Sequence, residues 1–246
     1  MSAIMALLFG LIALIYASVG FGGGSSYTAI LTLTGIEPRL IPVISLCCNI
    51  VVVTGGTYRF WRVGLIDWKA VLPLLAVSAP LAFLGGLTPL KEATFLLILG
   101  TTLLVSAVAL LLPQERFPEA KLPPAATLAL SGLVGLLAGL SGIGGGIFMA
   151  PVLHLIRWAE AKRIAAFASL YILANSITGL GGQLLKGGVG AVAESSAAYW
   201  PLLLAVLIGG QIGSHIGIRL FSPVLLRRMT ALLVGYAAVR LLLQAL

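Results

Sequence analysis

The sequence predicts an all-α polytopic membrane protein. It is read as about ten hydrophobic segments forming two inverted five-segment repeats, each starting with a Gly-rich helical hairpin that has one short half-helix. Three observations carry this: charge is scarce, the charge-free runs are long, and one glycine signature occurs twice. Lys and Arg number 15 and Asp and Glu 7 among 246 residues, so 9% are charged. Soluble domains carry roughly 25%, and a globule with so few charges could not cover its surface in water. Mean hydropathy is +1.13. Residues 1–36 hold no charge, and neither do 40–58, 70–90, 93–114, 122–156, 164–185 and 197–218. A membrane barrel would show alternating segments of about ten residues. These runs are continuous and rich in Leu and Ala, as helices are.

Ten apolar segments follow in order: 3–19, 22–34, 40–58, 70–87, 93–112, 125–141, 144–156, 164–185, 197–218 and 229–246. A full span needs about 20 residues, so the second and seventh are too short. Each follows a glycine cluster, Gly20-Phe21-Gly22-Gly23-Gly24 and Gly142-Ile143-Gly144-Gly145-Gly146, which match at an offset of 122. Asn49 and Gly55-Gly56 match Asn175 and Gly181-Gly182 at 126, and Pro73 matches Pro201 at 128. The preserved order makes the halves a repeat: residues 1–112, a polar linker 113–124 and residues 125–246. The N-terminus lacks a basic stretch, so the first run reads as a retained span rather than a cleaved signal.

The net charge of +8 is a topology marker rather than a nucleic-acid signal. If segments one and two, and six and seven, form hairpins, eleven cations fall on one side: Arg59, Arg62, Lys69, Arg116, Lys121, Arg157, Lys162, Arg163, Arg219, Arg227 and Arg228. Arg39, Lys91 and Lys186 fall on the other. If each glycine cluster only interrupts one crossing helix, the split is six against eight. The positive-inside rule selects hairpins, puts the linker in the cytoplasm and both termini outside, and inverts the halves. Trp61, Trp68, Trp158 and Trp200 read as interfacial anchors.

Inverted repeats with glycine-interrupted short segments at matching positions point to a transport site at the repeat interface. A short helix starting inside the membrane directs free N–H groups and the positive end of its dipole into a cavity, where an anion can be held. The alternative is that small residues only let helices approach closely. The candidate substrate-binding residues are Gly22, Gly23, Gly24, Ser25, Ser26, Asn49, Gly144, Gly145, Gly146, Asn175 and Gln211. The asparagines are expected to donate amide N–H to the anion, or else to bond between helices; Ser45 shares a face with Asn49. Gln211, His215 and Arg219 lie at i, i+4, i+8, and His215 is the candidate for proton coupling, against a packing role. His154 reads as interfacial, and Gln183 and Thr57 are weaker candidates. Adjacent Cys47 and Cys48 point about 100° apart on a helix and read as packing residues.

All seven acids fall in expected loops, so the intramembrane carboxylate usual in proton and cation pumps is missing. No metal cluster, cofactor motif, Walker motif or plausible Ser–His–Asp set occurs within the spans. The expected partners are a small anionic substrate and the lipid bilayer; no nucleic acid and no cofactor is called for, and oligomer signals are lacking. A passive anion channel, or less favourably a membrane-embedded enzyme or non-transport subunit, are the alternatives. Gly20–Gly24 and the stretch Gly139-Leu140-Ser141-Gly142-Ile143-Gly144-Gly145-Gly146, with Pro151 close behind and Ala168-Ser169, Asn175 and Gly181-Gly182 further on, resemble the paired glycine signatures of the TauE/SafE sulfite exporter family. The resemblance covers nearly the whole chain. It implies transport of sulfite or small organosulfonates, typically outward across a bacterial inner membrane. The first copy departs from the pattern, with Thr28-Ala29 where the second has Ala150-Pro151.

Overall fold

The computed structural model describes residues 3–37, 39–89, 123–187 and 199–245, together with positions 97, 100, 101, 103, 104, 107, 108 and 111. Most of the predicted fifth segment, and the linker up to residue 122, lie outside the described residues. Nine helices are described in full: α1 (Ala3–Ser18), α2 (Gly24–Leu33), α3 (Leu40–Arg62), α4 (Trp68–Leu87), α5 (Pro124–Ser141), α6 (Gly146–Leu155), α7 (Ala161–Gly187), α8 (Trp200–Leu220) and α9 (Pro223–Ala245). Five of them, α3, α4, α5, α7 and α8, are long and apolar enough to cross a membrane. Among the described residues there is no strand. As expected, the two ten-residue helices, α2 and α6, start at the ends of the glycine clusters.

Helix ends follow local chemistry. Asp67 precedes α4 and its carboxylate accepts from the Ala70 N–H at 3.3 Å, a capping contact that also favours the positive end of the dipole. Pro124 opens α5, where its missing N–H costs nothing. Gly142 closes it at φ +72, returning its N–H to the Ala138 carbonyl. The charged residues at the end of the third segment stay helical: α3 runs to Arg62, four residues past the expected boundary.

α3 and α7 pack together at the centre, α3 also against α8 and α7 also against α4. α1 lies along α8, and α5 lies along α4. The first helix of each half therefore packs on the fourth helix of the other. Both contacts are made by glycines. A Cβ on Gly209, Gly213 or Gly217 of α8 would strike the carbonyl oxygens of Gly10, Leu14 or Ser18 of α1. A Cβ on Gly135 or Gly139 of α5 would strike those of Ser78 or Ala82 of α4. In lipid there is no hydrophobic force between helices, so close backbone approach through such stripes supplies the packing.

A side chain on the stripe should therefore break the bundle, and one off it should not. Gly139→Val is expected to cost at least about 2–3 kcal/mol, as overpacking does, and to lower the melting temperature of the detergent-solubilised protein. At Gly181 a Cβ meets only the Phe83 ring at an ordinary 3.6 Å. Gly181→Ala should leave the melting temperature unchanged or raise it, since helical glycine is about 0.5–1 kcal/mol worse than alanine.

Candidate functional site

The two glycine turns converge on one face of α3. Gly20 and Gly23 take φ values of +86° and +94°, and Gly144 and Gly145 take +86° and +83°, a region only glycine occupies without strain. Between the turns stands Ser45. Its hydroxyl approaches the carbonyl oxygen of Gly142 at 2.9 Å and that of Gly24 at 3.2 Å. A hydroxyl has one proton, so the two turns share it. Thr28 Oγ1 donates to Ser45 Oγ at 3.3 Å. One helical turn later, Asn49 Nδ2 donates to the carbonyl of Ile143 at 3.1 Å. A Cβ on Gly24 would collide with the Asn49 amide nitrogen, and one on Gly22 with its oxygen. One asparagine thus touches both turns.

Beyond Asn49 lies a group of buried polar atoms without partners. Asn175 is fully buried, and neither its Nδ2 nor its Oδ1 makes a hydrogen bond. Ser176 Oγ, Ser78 Oγ and Asn49 Oδ1 are equally buried and equally unpaired. Ser176 sits against Gly144, where an added Cβ would meet its Oγ at 2.9 Å and Asn49 Nδ2 at 3.0 Å. Tyr171 donates its hydroxyl to the Ser131 carbonyl at 2.6 Å, and Ser78 and Asn175 lie close to its oxygen but outside hydrogen-bond geometry. Each unsatisfied polar group in an apolar interior costs about 1–3 kcal/mol. Several lie together beside the N-terminus of α6, whose first N–H groups have no intrahelical partner.

The structure redistributes the expected roles. Asn49 uses one of its two amide N–H groups on the Ile143 carbonyl of the second glycine turn, and its Oδ1 is unpaired. Around the second glycine turn the unpaired buried donors among the described residues include Asn175 Nδ2, Ser176 Oγ and Ser78 Oγ. Ser26 Oγ donates to the Tyr16 hydroxyl at 3.0 Å, and Ser25 Oγ lies 3.4 Å from it, so both serines are tied to α1. Tyr27 Oη is buried and unpaired beside Gly23. Gln211 packs its amide on Gly55 of α3. His215 is exposed on α8. Gln183 Nε2 donates to the Gly139 carbonyl at 2.9 Å, and Thr57 Oγ1 lies 3.0 Å from Ser169 Oγ, which are bonds between helices. His154 is buried within the protein. Both cysteines are free thiols.

Ser78, Tyr171 and Ser176 were not singled out by sequence reasoning. The offset of 126 does map Ser45 onto Tyr171, and that is the signal that could have found it. Ser78 sits alone in an apolar run and gave none. Arg59 is more than a charge at the membrane edge: within α3 it is half-buried, and its guanidinium donates to buried Ser214 of α8 at 2.7 Å. Among the described residues no cluster of His, Cys, Asp and Glu could hold a metal.

A family model described as sulfite exporter TauE/SafE matches residues 5–241. The chain is 34% identical to a probable membrane transporter protein of Sinorhizobium fredii, over 97% of each chain. It is 26% identical to a probable membrane transporter protein of Methanocaldococcus jannaschii, over 91% of this chain and 89% of that one. A probable membrane transporter protein of Bacillus subtilis is 28% identical over 83% and 85%. No solved structure matches.

Ser45 and Asn175 should separate in stability measurements without ligand. Ser45→Ala removes the hydroxyl shared by both turns and leaves two buried carbonyls short, a loss of about 1–3 kcal/mol. Asn175→Leu removes two unpaired polar atoms at similar volume, so its melting temperature should equal or exceed wild type. Thermal melting in detergent without added anion checks both.

Proposed function

The chain belongs to the TauE/SafE sulfite exporter family, a family of membrane transporters, and from this we propose that it is a secondary transporter of small sulfur-containing oxyanions. Sulfite and short organosulfonates are the substrate class, and export across a bacterial inner membrane is the direction. The observation that carries the reading is the group of buried, unpaired donors, Asn175 Nδ2, Ser176 Oγ and Ser78 Oγ, beside the N-terminus of α6. The anion takes N–H bonds from the turn Gly144–Gly146 and from these side chains. It needs no buried cation, because the helix end supplies partial positive charge.

The halves, 1–112 and 125–246 joined by a cytoplasmic linker, are inverted repeats with both termini outside. The reciprocal packing of α1 on α8 and α5 on α4 supports this, as do the matched short helices and the charge asymmetry. Alternating access follows from rocking of one half on the other. The first turn, held by Ser45 and with its serines bonded to Tyr16, acts as the framework. The second turn acts as the binding element.

Purified protein in liposomes tests the reading. Sulfite or a short sulfonate on one side should drive saturable uptake of labelled anion against its gradient, the counterflow of a carrier. Asn175→Leu should reduce this at least about tenfold, equivalent to one lost charge-assisted hydrogen bond or more. Linear, non-saturating flux without counterflow would identify a channel, and no flux of any sulfur oxyanion would refute transport of this class.

A further inference from the structure

The unpaired polar atoms around the second glycine turn are not all donors. Asn175 is fully buried, and both ends of its carboxamide lack partners: Nδ2, which donates, and Oδ1, which only accepts. Turning the amide exchanges the two positions but always leaves one acceptor buried and unpaired. The Asn49 amide is oriented by its bond to Ile143, which leaves Oδ1 as a second buried acceptor, against Gly22. A fully ionised oxyanion presents acceptors alone. It can take protons from Asn175 Nδ2, Ser176 and Ser78, but it has none to give to Asn175 Oδ1 on the same amide.

Among the described residues no protein group supplies the missing proton. Tyr171, one turn earlier on α7, lies close to Asn175, but its own proton is spent on the Ser131 carbonyl at 2.6 Å. The hydroxyls of Ser78 and Ser176 make no bond to the amide. The acids Glu37, Asp67 and Glu160 lie outside the helices. Of the helices packed against α7, α5 carries no titratable residue, α4 only Lys69 at its start and α6 only His154 at its end. α3 carries Cys47 and Cys48 beside Asn49, and α9 carries Tyr236 and Arg240 in its later turns.

We propose that the site takes its anion with a proton donor attached, and that the Asn175 carboxamide reads it: Nδ2 donates to an anionic oxygen while an O–H of the ligand donates to Oδ1. The proposal rests on the transport reading above for the site and the anion class. The shared chemistry is one negative charge and one hydroxyl. It has two sources, a singly protonated oxyanion such as hydrogen sulfite, or a sulfonate that carries a hydroxyl group of its own. For sulfite the proton then crosses on the substrate and is released to water on the far side. Coupling to protons needs no intramembrane carboxylate, and it needs no part from His215, which is exposed on α8.

Calorimetric titration of the purified protein in detergent, in two buffers of different ionisation enthalpy, counts the protons taken up with the ligand. The second ionisation of sulfite falls near neutral pH. Each sulfite bound at about pH 8.5 should therefore take up about one proton, and at about pH 6 about none. Apparent affinity for total sulfite should fall about tenfold per pH unit over the alkaline range. The hydroxyl source is tested with 2-hydroxyethanesulfonate against 1-propanesulfonate, which has a methyl group in place of the hydroxyl. The first should bind about tenfold tighter or more, the effect of one hydrogen bond to an acceptor otherwise left unpaired, with no proton uptake. Ser176→Ala should weaken sulfite binding and keep the uptake, because the amide remains. His154→Gln, and alanine at both Cys47 and Cys48, should also keep it; loss of uptake in either would assign the proton to the protein and overturn the proposal. Sulfite that binds without proton uptake, or more tightly as pH rises, overturns it too and leaves the transport reading standing. No binding of sulfite or either sulfonate at any pH would instead overturn the reading of the site itself.

Discussion

Backbone that leaves helical form inside a membrane must find hydrogen-bond partners within the protein, since lipid offers none. Two glycine turns do leave helical form here, and most of the architecture is arranged around that need. Ser45 shares one proton between the carbonyls of Gly24 and Gly142. Asn49 supplies the carbonyl of Ile143. Both sit on α3, so α3 must pass between the turns, and the helices on either side must approach without bulky side chains. The glycine stripes of α5 and α8 make that approach possible. Remove the shared hydroxyl and the turns lose their common partner.

The two halves spend this arrangement differently. Around the first turn the polar atoms are mostly engaged: Ser25 and Ser26 on Tyr16, Thr28 on Ser45. Around the second, Asn175, Ser176 and Ser78 are buried with nothing to bond. This fits the sequence difference that puts Thr28-Ala29 opposite Ala150-Pro151, where a hydroxyl available to bond Ser45 has no counterpart. An interior that tolerates several unpaired donors at one place gives up stability there, which is the usual signature of a functional site. The position of these donors next to the start of a short helix favours an anion over a cation.

Much of the fold is legible in the sequence because charge is excluded from lipid. The charge-free runs mark the helices, and the glycine clusters mark where α2 and α6 begin. Ends are less legible where a helix keeps its charged last turn, as α3 does through Arg59 and Arg62. The site is half legible. The repeat offset finds Asn49 and Asn175, but not that Asn49 is engaged and Asn175 is not, because that depends on the carbonyl of Ile143, 94 positions away in the chain from Asn49. The i, i+4 spacing puts Gln211 and His215 on one stripe without saying where it points. Gly209, Gly213 and Gly217 turn the neighbouring face toward α1, and Gly210 and Ser214 face α3, leaving His215 outside. A serine such as Ser25 bonding a tyrosine nine residues earlier across a turn has no periodic signature at all.

The central claim is that the unpaired donors beside the second glycine turn hold a small sulfur oxyanion. The most direct measurement is thermal melting of the purified wild-type protein and Asn175→Leu across a concentration series of sulfite and short sulfonates at constant ionic strength. A ligand bound only by the folded state stabilises it by about 2.7 kcal/mol at a hundred times its dissociation constant. The account predicts a rising, saturable melting temperature for wild type with at least one of these anions, and a flat response for Asn175→Leu. An equal rise in both proteins, or no rise with any sulfur oxyanion, would contradict it.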